Sequence, residues 1–283
     1  MEKINVIIEM ARHGKKNGFN SSRISNSEEI AEMAENIDLS GFQSVEIHTT
    51  PVERAVHTAQ SIQSGFKKQG ADTEIKIQEM ASGILSSAGT SIEAIMAKSE
   101  SSKDLNLISP EIREEYKLAV ENHIASSWSK EDAGVGAWIK IMKKEIEFLK
   151  KNGAEKFKSD QLKKNGISVL EVVLRICSYL ININGENKFV YSINHAGFIE
   201  PLLVYLLAEQ ITENPVRDGL DVFQKMGGAF EPSESVKIIL KGEKVIFHLR
   251  GKIYEINREK LEKEAKKLES ISIANQVIEM RKK

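Results

Sequence analysis

The chain has 283 residues, of which 41% are hydrophobic, with a formal net charge of −1 and a single cysteine, Cys177. This is enough apolar material for a packed core. The near-neutral charge offers no basic face for nucleic acid or another polyanion, and one cysteine allows neither an internal disulfide nor a metal knuckle.

In chain order, the apolar run Ile4–Ala11 predicts a first strand, buried on both faces, that stops in Arg12-His13-Gly14. Lys15–Ser25 is polar and loop-like. Asn26 or Ser27 can cap a helix through about Ile37, with Glu28 and Glu29 in its first turn. Ser44–Thr50 alternates and predicts a second strand. Pro51 suits the start of a helix that runs to about Lys68, and Thr73–Ile77 predicts a third strand ending next to Glu79. From Met80 to Asn165 the strand signal disappears, and Pro110–Trp128 and Ala137–Lys151 read as amphipathic helices.

Alternation then resumes. Ile167–Ile181 predicts a helix, Lys188–Ile193 a strand and Gly197–Leu207 a helix. Ser235–Leu240 and Lys244–Leu249 flank Lys241-Gly242-Glu243 as a hairpin, Ile253–Ile256 adds a short strand, and Arg258–Lys282 is a charged C-terminal helix. This order predicts an α/β protein: a three-layer α/β/α sandwich with a mostly parallel sheet, residues 1–283 forming one domain with a helical cap insertion at about 80–165.

No stretch approaches the roughly 20 apolar residues that span a bilayer. No secretory leader fits before Arg12-His13-Gly14, so a cytoplasmic protein without membrane attachment is expected.

In open α/β sheets, sites form beyond the carboxyl ends of the strands. Arg12 and His13 end the first strand, Arg54 opens the helix after the second, Glu79 follows the third, and His195 follows the strand Lys188–Ile193. A parallel sheet gathers these ends. Together they make a set suited to phosphoryl chemistry. A neutral imidazole is a good nucleophile at pH 7, and guanidiniums hold phosphoryl oxygens by paired, charge-assisted hydrogen bonds. A protonated carboxyl supplies the proton that an alkoxide leaving group needs. On the residues alone, ordinary salt-bridge arginines, a structural His195 and a solvated Glu79 stay open as readings.

Three stretches in this order sharpen the choice: Ala11-Arg12-His13-Gly14, Thr50-Pro51-Val52-Glu53-Arg54-Ala55-Val56-His57-Thr58-Ala59 and Asn194-His195-Ala196-Gly197-Phe198-Ile199. Over about residues 1–80 and 165–250 the chain resembles the histidine phosphatase superfamily, the phosphoglycerate-mutase-like enzymes. The resemblance implies that His13 takes the phosphoryl group while Arg12, Arg54 and His195 clamp it. In the acid-phosphatase branch an Asp after the second His donates the proton. Ala196 stands there, so the resemblance points instead to the mutase-like branch, whose acid is a Glu after the third strand, here Glu79.

Other positions depart from the family. Lys16 and Phe19 stand where a Ser and an Asn often follow the first His, with Asn20 one position off. Met80-Ala81-Ser82-Gly83-Ile84 lacks the charged and aromatic pattern of a glycolytic mutase.

The expectation is a metal-independent, cofactor-free phosphatase acting on a small phosphorylated metabolite, without nucleic-acid or membrane partners. A phosphomutase and a non-catalytic phospholigand-binding module are the alternatives. No His/Asp/Glu set has metal-ligand spacing. His48, His57, His123 and His248 read as structural or exposed, and Cys177 as core. The C-terminal helix, with Leu261, Ala265 and Leu268 at helical spacing, suits packing on its own domain over a coiled coil, with a homodimer left open.

Overall fold

A computed structural model describes residues 6–15, 24–49, 53–71, 73–77, 109–126, 128–183, 185–194, 197, 199–212 and 219–282. It is a mixed α/β structure on one seven-stranded sheet, in keeping with the α/β sandwich expected. The strands are β1 (Val6–Arg12), β2 (Ser44–Thr49), β3 (Glu74–Ile77), β4 (Lys188–Asn194), β5 (Ser235–Lys241), β6 (Lys244–Leu249) and β7 (Lys252–Asn257). Their order across the sheet is β3-β2-β4-β1-β5-β6-β7. Strands β1 to β4 pair in parallel, and β5, β6 and β7 continue the sheet from β1 in antiparallel steps.

The chain divides into two compact units. The first comprises Met1–Ser86, Asn182–His195 and Phe230–Glu259 and contains the whole sheet. Helices α1 (Ser27–Glu35) and α2 (Glu53–Lys68) belong to it. Their apolar stripes, Ile30 and Ala34 on α1 and Ala55, Ala59, Ile62 and Phe66 on α2, bury one sheet face with Ala11, Ile47, Phe189, Tyr191 and Ile193. The central strand β4 is buried from Phe189 to Asn194, as a parallel strand covered on both faces should be. In β1 the pattern is less uniform: Val6, Ile8 and Met10 are buried while Ile7 and Glu9 are only half-buried. The antiparallel half alternates, with Val236, Ile238 and Leu240 buried between more exposed neighbours.

Helices α1 and α2 touch backbone to backbone. A Cβ added to Gly65 would meet the Ala31 carbonyl oxygen at 2.3 Å and the Ala34 Cβ at 2.7 Å. A flexible side chain could yield, but a helix backbone cannot. Gly65→Ala is therefore expected to destabilise the protein by about 3 kcal/mol through overpacking, although alanine is the better helix former. A urea unfolding curve checks this; a midpoint equal to wild type would refute the backbone contact.

The second unit comprises Ser87–Ile181, Ala196–Ala229 and Lys260–Lys283. It is helical: α3 (Pro110–Ala125), α4 (Lys130–Asn152), α5 (Ala154–Lys163), α6 (Val169–Asn182), α7 (Ile199–Ile211), α8 (Gly219–Lys225), α9 (Arg258–Ile271) and α10 (Ala274–Lys282), the two ends of α6 and α9 crossing into the first unit. Ser109 and Ser129 cap α3 and α4 with side-chain oxygens. Ser129 explains why α4 starts earlier than its apolar periodicity alone indicates. The buried Glu145 carboxylate accepts from the Val169 and Leu170 amides at the start of α6, and burial pushes its pKa up to about 8. Cys177 is buried, as expected of a core residue.

Two expectations change here. Helix α5, Ala154–Lys163, lies beyond the predicted end at Lys151, in a stretch for which no helix is predicted; it buries Phe157 and Gln161 on one face and leaves Lys156 and Lys163 exposed. The single C-terminal helix is two, broken at Ser272 and Ile273. The buried Glu171 carboxylate accepts from the Ser272 hydroxyl at 2.9 Å and the Ile273 amide at 3.3 Å, and Arg175 ties Glu171 to Ser272. An amide pledged to a buried carboxylate cannot also continue the helix ladder. Among the described residues, no helix is long and apolar enough to cross a membrane.

Candidate active site

The parallel half of the sheet gathers the ends of β1, β2 and β4 at one edge. Arg12 on β1 is the register partner of Asn194 on β4, the residue before His195, and the His13 amide extends that ladder by donating to the Asn194 carbonyl at 2.9 Å. Beside β4, His48 near the end of β2 pairs with Ser192. Helix α2 begins at Glu53, so Arg54 lies in its first turn.

The sequence-predicted pair His13 and Arg54 meets directly. The Arg54 Nε–H donates to His13 Nε2 at 3.0 Å. On the other side of the ring, Nδ1 lies 2.8 Å from the Gly14 carbonyl oxygen. A carbonyl only accepts and a guanidinium only donates. The two contacts therefore require a neutral imidazole protonated on Nδ1, with the Nε2 lone pair facing Arg54. His13 is 5% exposed, so it is a buried residue of the strand end and not one standing clear in a turn.

The turn after His13 is held by Thr58 and Asn26, whose part in it the sequence does not show. The Gly14 amide donates to Thr58 Oγ1 at 3.0 Å, and the Thr58 hydroxyl donates to the Arg54 carbonyl at 2.8 Å. Thr58 thus locks His13 and Arg54 to one helix turn. Gly14 has no room for a side chain: a Cβ would meet Ile30 Cδ1 at 2.6 Å and Asn26 Oδ1 at 2.8 Å. Asn26 stands at the N-cap of α1 as expected, but its side chain does not cap the helix. Its Oδ1 accepts from the Lys15 amide at 2.9 Å, and its Nδ2 donates to Ser233 Oγ at 3.3 Å.

Arg12 is held by the loop between α8 and β5. Its Nη1 donates to the Phe230 carbonyl, its amide donates to the Glu234 carbonyl at 2.9 Å, and its own carbonyl accepts from the Ser233 amide at 3.2 Å. Arg12 Nε is buried with no hydrogen-bond partner among the described residues. Glu234 forms a two-pronged ion pair with Arg250, whose guanidinium lies 5.2 Å from the Phe230 ring centroid. Burial alone would raise the Glu234 pKa. The Arg250 pair, the Glu231 amide and nearby Arg12 outweigh it and hold the carboxyl below its usual range. Arg250 reaches this place from the tight β6–β7 turn, where Arg250 and Gly251 both take positive φ, at 47° and 75°. No local motif in the sequence marks Phe230, Glu234 or Arg250; only the pairing of β5 with β1 brings them to Arg12.

Glu79 and His195 lie outside the described residues, as do Lys16, Phe19 and Asn20. His48 is buried and bonded to Glu46 at 2.9 Å, in keeping with a structural role, while His57 lies on the open side of α2, 4.0 Å from Glu53. Among the described residues, no group of three or more His, Cys, Asp or Glu could hold a metal ion.

No protein-family profile matches the chain, and no curated protein does. Among solved structures it is similar to a phytase from Klebsiella sp. ASR1, at 7% sequence identity over 93% of this chain and 86% of that one, with a TM-score of 0.32. At so loose a superposition, the functional reading rests on the residues of the site itself.

Proposed function

We propose that the protein is a metal-independent phosphomonoester phosphatase that works through a phosphohistidine at His13, on a small phosphorylated metabolite. The observation that carries this reading is the Nε2 lone pair of a buried, neutral His13, set 3.0 Å from the Arg54 guanidinium at the end of the strand that also carries Arg12.

In the proposed reaction the substrate phosphoryl group enters between His13 and Arg54. Its oxygens take the guanidinium contact from Nε2, which frees the lone pair to attack phosphorus. The Nε2–P bond forms as the P–O bond to the leaving group breaks, and the departing alkoxide takes a proton, a role assigned to Glu79. Attack at Nε2 leaves positive charge on the ring, which the Nδ1–H hands partly to the Gly14 carbonyl. Arg12, Arg54 and His195 neutralise the charge spread over the transferring oxygens. Water then attacks phosphorus and gives a proton to Glu79, the Nε2–P bond breaks, inorganic phosphate leaves, and His13 returns to its starting state.

A binding module would need the cations but not a nucleophile with its tautomer fixed, so catalysis suits the arrangement better. The test is phosphate release from a panel of phosphorylated metabolites and p-nitrophenyl phosphate, with EDTA present throughout. Turnover undiminished by EDTA is expected on some members. No release from any ester, or activity that EDTA removes, would overturn the reading.

A further inference from the structure

Asn26 stands where a helix cap should be and does not cap. Its hydrogen bonds go elsewhere, and where they go has a consequence. The Lys15 amide that it holds and the Gly14 carbonyl that accepts from His13 Nδ1 belong to one peptide group. That group is planar, with N–H and C=O pointing in opposite directions. Fixing its N–H on Asn26 Oδ1 therefore fixes where its C=O points. The carbonyl in turn sets which ring nitrogen of His13 carries the proton, and so leaves Nε2 as the lone-pair nitrogen toward Arg54.

The orientation of the Asn26 amide is itself determined. The Lys15 N–H can only donate, so the oxygen must face it, and the NH₂ is left for Ser233 Oγ. Ser233 is a residue with φ at 68°, strained for a non-glycine, and its amide donates to the Arg12 carbonyl. One side chain thus joins the peptide that orients His13 to the loop that carries the partners of Arg12. The Cβ-free Gly14 lets it approach: any side chain there would meet Asn26 Oδ1 at 2.8 Å.

We propose that Asn26 is a positioning residue that sets the His13 tautomer through the Gly14–Lys15 peptide and couples it to the Ser233 loop. Its effect on turnover rests on the phosphatase reading above; its effect on His13 does not. The test therefore has two readouts. The first is the ¹⁵N spectrum of the His13 ring in the unliganded protein at mildly alkaline pH, where an imidazole is neutral. Wild type is expected to give the Nδ1–H pattern, Asn26→Ala a mixture of both tautomers, and Asn26→Asp, which keeps the acceptor for the Lys15 amide, the wild-type pattern again. The second is kcat on p-nitrophenyl phosphate, expected to fall on the order of 10- to 100-fold in Asn26→Ala, with KM little changed. Because Asn26 makes no side-chain cap, α1 should survive the change, and a far-UV circular dichroism spectrum equal to wild type is expected.

An Asn26→Ala spectrum with the wild-type tautomer would overturn the proposal, whatever the activity. A tautomer shift in a protein that hydrolyses no ester would uphold the proposal and remove the phosphatase reading instead.

Discussion

His13→Ala is expected to abolish phosphomonoester hydrolysis and, with it, acid-labile labelling of the protein by ³²P from a labelled substrate. The phosphatase reading has no second nucleophile to fall back on. Phosphomonoesters are among the slowest bonds to hydrolyse, with enzymatic accelerations reaching about 10²¹-fold, so what remains without the covalent route should lie below detection. The burial of His13 adds a complication. Removing the ring leaves the Arg54 Nε–H and the Gly14 carbonyl without these partners, at a stability cost on the order of 1–3 kcal/mol. His13→Gln guards against mistaking unfolding for lost chemistry: an amide side chain offers both a donor and an acceptor, yet it is not a nucleophile. Both variants should be inactive and unlabelled, and His13→Gln should remain folded by circular dichroism. Wild-type turnover in a folded His13→Gln protein would exclude His13 as the phosphoryl acceptor.

Arg54→Ala is expected to lower kcat/KM by two or more orders of magnitude, about 3 kcal/mol of lost transition-state stabilisation. Two functions would go at once. The guanidinium would no longer meet the transferring phosphoryl group, and the contact that faces Nε2 would vanish. Arg54→Lys separates charge from shape. An ammonium is a point charge and cannot reproduce a planar fork that touches the ring and a phosphoryl oxygen together, so Lys should restore little. The main-chain side of the turn should survive either change, because the Thr58 hydroxyl holds the carbonyl of residue 54 and accepts from the Gly14 amide whatever side chain stands at 54. Steady-state kinetics of the three proteins on one ester decide the point. A Lys variant within a fewfold of wild type would rule out the paired contact and leave simple charge neutralisation.

By itself the sequence marked most of the elements and pointed to the residues to which we assign the chemistry. Apolar runs ending in turn residues marked β1, β2, β4 and the β5–β6 hairpin. Pro51 and the spacing of Ala55, Ala59 and Ile62 marked α2. The order of these elements implied strand ends sharing an edge, and there His13 and Arg54 meet, directly after Arg12 in the chain. These features are legible because they rest on local periodicity and on residues placed directly after strands, where chain direction alone fixes their position.

Only the tertiary structure decided how the site is held. The His13 tautomer depends on Arg54, forty-one positions away, and on a peptide oriented by Asn26. The sequence offers Asn26 or Ser27 as a helix cap; the Asn26 side chain instead holds the Lys15 amide and Ser233, the second reached only when β5 pairs with β1. Arg250 resembles any surface arginine in a turn until that turn carries it to Glu234 and the Phe230 ring. The C-terminal helix reads as continuous because nothing local forbids it, yet the buried Glu171 takes the Ile273 amide and breaks it. At the Asn26 cap and at the C-terminal helix a hydrogen bond between residues distant in sequence overrides a local preference worth about 1 kcal/mol. Such bonds have no period and no fixed spacing, so they exist only once the chain has folded.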